Sequence, residues 1–176
     1  MVEESLAGKL LIATPRLADP NFYRTVILIL QHDEEGAVGV VLNRVTAETV
    51  ADHLPGWAHR AAEPGYIHSG GPVEPEVAVG ISLTADGMPT GVPGLSLVDL
   101  SEPPTEDGPS VRVYSGYAGW SSGQLEAEIL AGSWYVVQAA PEDPFGDPTD
   151  QWRRILRRQP GYLALLSTFP DDVRLN

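Results

Sequence analysis

An imidazole and three carboxylates follow one another at His32-Asp33-Glu34-Glu35. Nitrogen and oxygen donors in one short stretch suit a divalent cation, or acid–base chemistry centred on the histidine. The competing reading is a solvated hairpin tip, because four adjacent side chains seldom converge on one point. Asn43-Arg44 sets an amide beside a guanidinium, a pair suited to a carboxylate or phosphate; equally, Asn43 can close a turn while Arg44 pairs with an acid. Two glycine-rich stretches, Gly70-Gly71-Pro72 and Gly116-Tyr117-Ala118-Gly119-Trp120, read as loops. Such loops can turn backbone N–H groups toward an anion or small ligand, with Trp120 as an apolar wall, or simply allow sharp turns. Arg153, Arg154, Arg157 and Arg158 pair at i, i+4 on a helix. They suit a phosphate or an acidic partner, but they also complement the end of a helix dipole, and Glu142, Asp143, Asp147 and Asp150 stand ready to offset them. His53, His59 and His68 are scattered and read as packing or surface residues.

Several chemistries are excluded outright. Cysteine is absent, so disulfides, thiolate metal sites and a cysteine nucleophile are impossible. The single lysine, Lys9, lies in Gly8-Lys9-Leu10 without the hydroxyl of a phosphate-binding loop. No dinucleotide fingerprint or paired-histidine zinc motif occurs, and Gly94-Leu95-Ser96-Leu97-Val98 lacks the second glycine of a nucleophile elbow. We expect no cofactor and no metal. A net charge of −13 repels a phosphate polyanion at long range, so direct nucleic-acid binding is disfavoured. The longest apolar run, Val26 to Leu30, is far short of the ~20 residues of a membrane span, and the start of the chain has no leader-like segment. A soluble, cytoplasmic protein is expected.

The elements that must position these residues read as short strands and short helices. Lys9–Thr14, Thr25–Gln31, Ala37–Leu42, Tyr66–Ser69, Val77–Leu83, Val111–Tyr114 and Trp134–Gln138 are strand candidates. The second and third are apolar throughout, which predicts burial on both faces, and His32 to Gly36 joins them as a hairpin loop. Thr46–Leu54 reads as a helix capped by Thr46. Ser121 with Gln124 marks another helix start, with Leu125, Ile129 and Leu130 as a buried stripe and Gly132 as its stop. Asp150–Gln159 is a third helix, with Trp152, Ile155 and Leu156 inward. The segments 84–94 and 101–109, rich in glycine and proline, read as exposed, mobile excursions. No composition shift divides the 176 residues, so one α+β domain with a mostly antiparallel, strongly curved sheet is expected.

Across most of its length the chain resembles the YqgE/AlgH family. The resemblance is carried by Leu6 to Pro15, Asp19-Pro20-Asn21-Phe22, Thr25-Val26, the stretch from His32 through Ala37 and Gly39, Leu42-Asn43-Arg44, Gly70-Gly71-Pro72-Val73 and Gly116 to Trp120 with Gly123-Gln124-Leu125-Glu126, Glu128 and Trp134. The segment 84–109 departs from it in length and composition. The resemblance implies a bifurcated sheet curled into a pseudo-barrel with short helices packed outside. It implies no established reaction, although members are provisionally labelled transcriptional regulators; no helix-turn-helix is legible here. The expected function is non-enzymatic binding or regulation through a small ligand or protein partner. The candidate surface comprises His32, Asn43, Arg44, Gly70, Gly71, Gly116, Gly119 and Trp120. The alternative is a hydrolase or metal-dependent enzyme built on His32 and nearby carboxylates.

Overall fold

A computed structural model describes residues 4–171. The strands are β1 (Lys9–Ala13), β2 (Val26–Asp33), β3 (Gly36–Val41), β4 (Val45–Thr49), β5 (Tyr66–Ser69), β6 (Val73–Ser82), β7 (Met88–Pro89), β8 (Ser96–Val98), β9 (Val111–Ser121) and β10 (Trp134–Gln138). Four short helices accompany them: α1 (Val50–His53), α2 (Gln124–Leu130), α3 (Gln151–Arg157) and α4 (Tyr162–Leu166). The main path of the sheet runs β10-β1-β2-β3-β9-β6-β8-β7, antiparallel throughout, and curls into a half-barrel.

The sheet forks at β9. One edge of that long strand pairs with β3 through Gly119 and its neighbours, and further back the same edge pairs in parallel with β5 through Tyr114 and Ser115. Gly70 bridges the two branches: its N–H donates to the Ser115 carbonyl and its carbonyl accepts from Val41, both at 2.8 Å. The Gly116–Trp120 stretch expected as a loop is therefore strand, and what its glycine supplies is a kink. Gly116 adopts φ +71° where the β6–β9 register slips. That left-handed conformation favours a residue without a side chain.

The central strands bury both faces, as their unbroken apolar runs predict. Leu10, Ile12, Val26, Leu28 and Val40 pack toward Trp152, Ile155 and Leu156, which α3 presents. Leu11, Ala13, Ile27, Ile29 and Val41 pack on the other side with Trp120, Leu125 and Trp134. A third cluster joins Val50, Trp57, Ile67, Val111 and Val113 under the β5 branch.

Several expectations need correction. Thr46–Leu54 is half strand: Thr46 donates its hydroxyl to the Ile67 carbonyl, so pairing with β5 overrides local helix preference, and Thr49 is the helix cap. His32 and Asp33 belong to β2, leaving only Glu34-Glu35 as the turn. The 84–94 excursion is partly core, since Thr90 and Val92 are buried and the Thr90 hydroxyl donates to the carbonyl of buried Leu95, just beyond it, at 2.8 Å. Leu130, expected in the buried stripe of α2, is 90% exposed. Five-residue α4 was not foreseen; it is too short to show a period. The stop at Gly132 (φ +83°) holds, but the start does not: Ser121 ends β9 and Gly123 caps α2 without a side-chain bond, although the Gln124 side chain does reach back to the Ser121 N–H at 3.0 Å.

Candidate functional site

The residues singled out from the sequence fall into two groups, each tied into the fold. Asn43 accepts from the Val26 N–H and donates to the Arg24 carbonyl, both at 2.9 Å, stitching the start of β2 to the end of β3. Arg44 donates to the carbonyls of Tyr23 (2.8 Å) and Pro20 (3.3 Å). It borders a cavity of about 270 Å³ together with Asn21, Ser69 and Gly71. Gly70, Gly71 and Gly116 lie in contact at the fork, and a methyl on Gly116 would fall 2.6 Å from the Gly71 carbonyl oxygen. The two glycine stretches do meet, as the shared-surface expectation requires, but backbone against backbone.

His32 and Trp120 lie toward the other end of the β2–β3 hairpin. His32 Nδ1 accepts the Leu6 N–H at 2.9 Å, which leaves the ring proton on Nε2 to donate to Glu126. That hydrogen bond holds the Glu126 carboxyl below its usual range. Trp120 donates its indole N–H to Glu128 at 2.6 Å, and Trp134 donates to the same oxygen at 3.2 Å, the two rings meeting edge to face. Among the described residues no three histidine or acidic side chains converge as a metal-ligand group. Replacing Glu128 by alanine leaves two largely buried indole N–H groups without their shared acceptor. A loss of about 2 kcal/mol is expected, read by urea denaturation with a shift in tryptophan emission.

A larger feature was not visible in the sequence. A groove of about 1130 Å³ opens over the β6–β8–β7 end of the sheet. Ala78, Gly80 and Ser82 alternate along β6 and, with Val98, keep its floor low. Trp57 and Arg60, from the 3-10 turn Pro55–Arg60, form one wall. The 103–109 segment adjoins that wall as a lip, which Arg60 holds by donating to the Pro109 carbonyl at 2.9 and 3.0 Å and to the Thr105 carbonyl at 3.4 Å. The same guanidinium lies 5.7 Å from the Trp57 ring centroid. Met88 and Pro89 close the far end, and Asp86, Asp99 and Asp107 add carboxylates. The Ser101 hydroxyl and N–H donate to Asp99 and lower its pKa.

Beneath the fork lies a buried polar cluster. Arg112, 3% exposed, donates to the carbonyls of Pro144, Ala62 and Glu63 and has no carboxylate partner among the described residues. Burial pulls its pKa below the ordinary value. His68, 1% exposed, stacks edge to face on Tyr114, and its Nε2 has no hydrogen-bond partner. Desolvation, with Arg112 nearby, pushes its pKa down to about 4. Burial raises the Tyr114 phenol, which donates to the Pro144 carbonyl at 3.3 Å.

A family model described as AlgH-like matches residues 10–164. The chain belongs to the AlgH-like family. A UPF0301 protein of Streptomyces avermitilis is 50% identical, covering 98% of this chain and 96% of its own length. A UPF0301 protein of Thermobifida fusca is 42% identical, again over 98% and 96%. The crystal structure of a Corynebacterium diphtheriae protein superposes with a TM-score of 0.85 at 33% identity, covering 96% of this chain and 94% of that one. The solution structure of the AlgH protein from Pseudomonas aeruginosa gives 0.70 at 27%, covering 98% of each.

In this AlgH-like chain the motif residues therefore build the fork and the hairpin, while the groove is built largely from the 84–109 segment. Proline and glycine in that segment mark turns, but nothing local says that two turns face each other. The one usable signal is the Trp57/Arg60 pair, three residues apart ahead of the acid- and proline-rich stretch. No helix among the described residues is long and apolar enough to cross a membrane.

Proposed function

We propose that the protein is a non-enzymatic binding protein that takes an extended segment of a protein partner into the groove over β6 and β8. The partner segment is apolar along its length and carries a basic side chain. The observation that carries this reading is the groove itself. Its volume exceeds the roughly 300–1,000 Å³ of ordinary small-molecule pockets, and it is open along its length. Apolar surface from Trp57, Val98 and Met88 supplies burial, and Asp86, Asp99 and Asp107 supply charge complementarity to a cation. Arg60 does not compete for that role, because its N–H groups hold the lip.

Recognition runs through side chains rather than through strand addition. The sheet ends there in two-residue β7, and Pro89 has no N–H to offer a further strand. The net charge of −13 favours a protein partner over nucleic acid, and the arginines of and just after α3 each have an acid or a carbonyl beside them. Arg158 grips Asp143 through paired 2.7 Å bonds, Arg157 faces Asp150, Arg154 donates to the Asp147 carbonyl, and Arg153 faces Asp171.

Fluorescence anisotropy with two labelled peptides tests the proposal, one alternating leucine, proline and arginine, the other with glutamate in place of arginine. The basic peptide is expected to bind the wild type and the acidic one not. Ala78→Trp, which fills the floor from an exposed position, is expected to weaken binding about tenfold or more. Equal binding of both peptides, binding of neither, or an unaffected Ala78→Trp variant would count against the groove.

A further inference from the structure

The two ends of the main sheet path are finished differently. At one end, β7 is two residues long and contains Pro89. At the other, β10 reads Trp134-Tyr135-Val136-Val137-Gln138, with no charge, no proline and an unbroken register of five pairs on β1. Charges, prolines, bulges and very short strands are what keep an edge from pairing further, and β10 has none of them. Apolar side chains gather around it. Val136 is 36% exposed, Leu130 projects from the end of α2, and Tyr162 of α4, which shares a cavity with Tyr135, is 63% exposed.

Register decides what this edge offers. The Thr14 N–H donates to the Ser133 carbonyl at 3.0 Å. Alternation then turns the main-chain groups of Tyr135 and Val137 toward β1, and those of Trp134, Val136 and Gln138 away from it. Arg158 agrees with this, since it reaches the Gln138 carbonyl from outside the sheet at 3.3 Å. The three outward residues are centred on Val136. A second β10 laid antiparallel about a twofold axis there sets Val136 opposite its own copy and Trp134 opposite Gln138, so that each outward N–H meets a carbonyl.

Charge follows the same symmetry. At the Trp134 end, Arg16, Gly132, Tyr135 and Tyr162 border a cavity of about 260 Å³. Arg16 is exposed and makes no ion pair among the described residues. At the Gln138 end the chain turns at 140–143, where the Asp143 N–H donates to the Ala140 carbonyl at 3.0 Å. Arg158 holds Asp143 there, while Glu142 is exposed and unpaired among the described residues. In the twofold arrangement residue 140 of one copy is level with Gly132 of the other, which brings Glu142 to the cavity that Arg16 borders.

We propose that the protein forms a twofold dimer by joining its β10 edges, each copy seating Glu142 against Arg16 of the other. A foreign strand would fill the same hydrogen bonds; the opposite charges at the two ends of one edge are what single out a second copy. The net charge of −13 opposes encounter at long range, but at about 0.15 M salt that repulsion is screened beyond roughly 8 Å.

Sedimentation velocity on the full chain in that salt, from about 1 µM to 1 mM, is expected to show a reversible monomer–dimer equilibrium. Val136→Lys alters an exposed side chain, so the far-UV circular dichroism should stay as in wild type. It sets two ammonium groups directly opposite each other and should weaken the dimer about tenfold or more. Arg16→Glu should weaken it about threefold, and adding Glu142→Arg should restore it. The chain has no cysteine, so Val136→Cys carries one thiol per copy. Opposed residues about 5.5 Å apart at Cα lie within disulfide reach, and mild oxidation should link two copies through Val136→Cys but not through Val77→Cys on β6. A chain that stays monomeric at every concentration overturns the dimer, and protection of its Val136 amide by an added foreign strand would then give the edge to another protein. A dimer that Val136→Lys leaves intact and Val136→Cys does not link has its interface elsewhere, which also overturns the proposal. A dimer unweakened by Arg16→Glu overturns the seating of Glu142.

Discussion

Acidification from pH 7 to pH 4 is expected to remove about 3 kcal/mol of stability through His68 alone. The imidazole is buried beside Arg112, and its pKa in the folded chain falls to about 4 from the ordinary 6.5. Above pH 6.5 the ring is neutral in both folded and unfolded chains and adds no pH dependence. Between 6.5 and 4 the unfolded chain takes up a proton that the folded one refuses, so stability falls as pH falls. Below 4 both states are protonated and the loss is complete. The folded state has no way to welcome that proton, because the nearest charge is a guanidinium and Nε2 faces no acceptor. Denaturant curves for wild type and His68→Phe, taken from pH 8 to pH 4, isolate the effect, since the carboxylates act alike in both. The difference in stability between the two should be flat above pH 7 and should change by about 3 kcal/mol in favour of the variant by pH 4. Parallel curves over that range would show that His68 protonates freely in the native state.

The second large effect belongs to the fork. A methyl on Gly70 would overlap the Gly116 carbonyl oxygen, and a methyl on Gly116 would press on the carbonyl oxygens of Gly71 and Val73, at 2.6 and 2.9 Å. These neighbours are backbone in paired strands and cannot turn aside as a flexible side chain would. Gly116→Ala also forces a side chain into positive φ. Each substitution is expected to cost about 3 kcal/mol or more. Gly119 is the internal control, three residues along the same strand. A methyl there comes no nearer than 4.0 Å to any neighbour, and Gly119→Ala should stay within about 0.5 kcal/mol of wild type. Urea midpoints of the three variants decide the matter. A costly Gly119→Ala, or a tolerated Gly70→Ala, would mean that the glycines of this motif are not explained by close approach of the backbone.

This contrast bears on what the family motif records. Gly70, Gly71 and Gly116 permit two sheet branches to leave one strand. Asn43 ties β2 to β3, and His32 ties the start of the chain to α2. The motif that makes the family legible is thus, at these positions, a description of how the half-barrel is joined. The groove lies instead over β6 and β8, with lips from 84–89 and 103–109.

Local patterns in the sequence were enough for β1, β2, β3 and β10, whose apolar runs are long, and for the presence of α2, with its glycine stop, and of α3, with its inward Trp152, Ile155 and Leu156. They were also enough to exclude cysteine chemistry and a membrane-spanning helix. Only the tertiary structure decided that Gly116 bends a strand rather than a loop, that Thr90, Val92 and Leu95 are core, that His68 and Arg112 share a dry interior, and that β10 is an edge strand. The physical reason is range. A run of apolar residues or a capping box acts within a few positions, where the sequence spells it out. A fork, a groove or a free strand edge exists only once distant strands have paired.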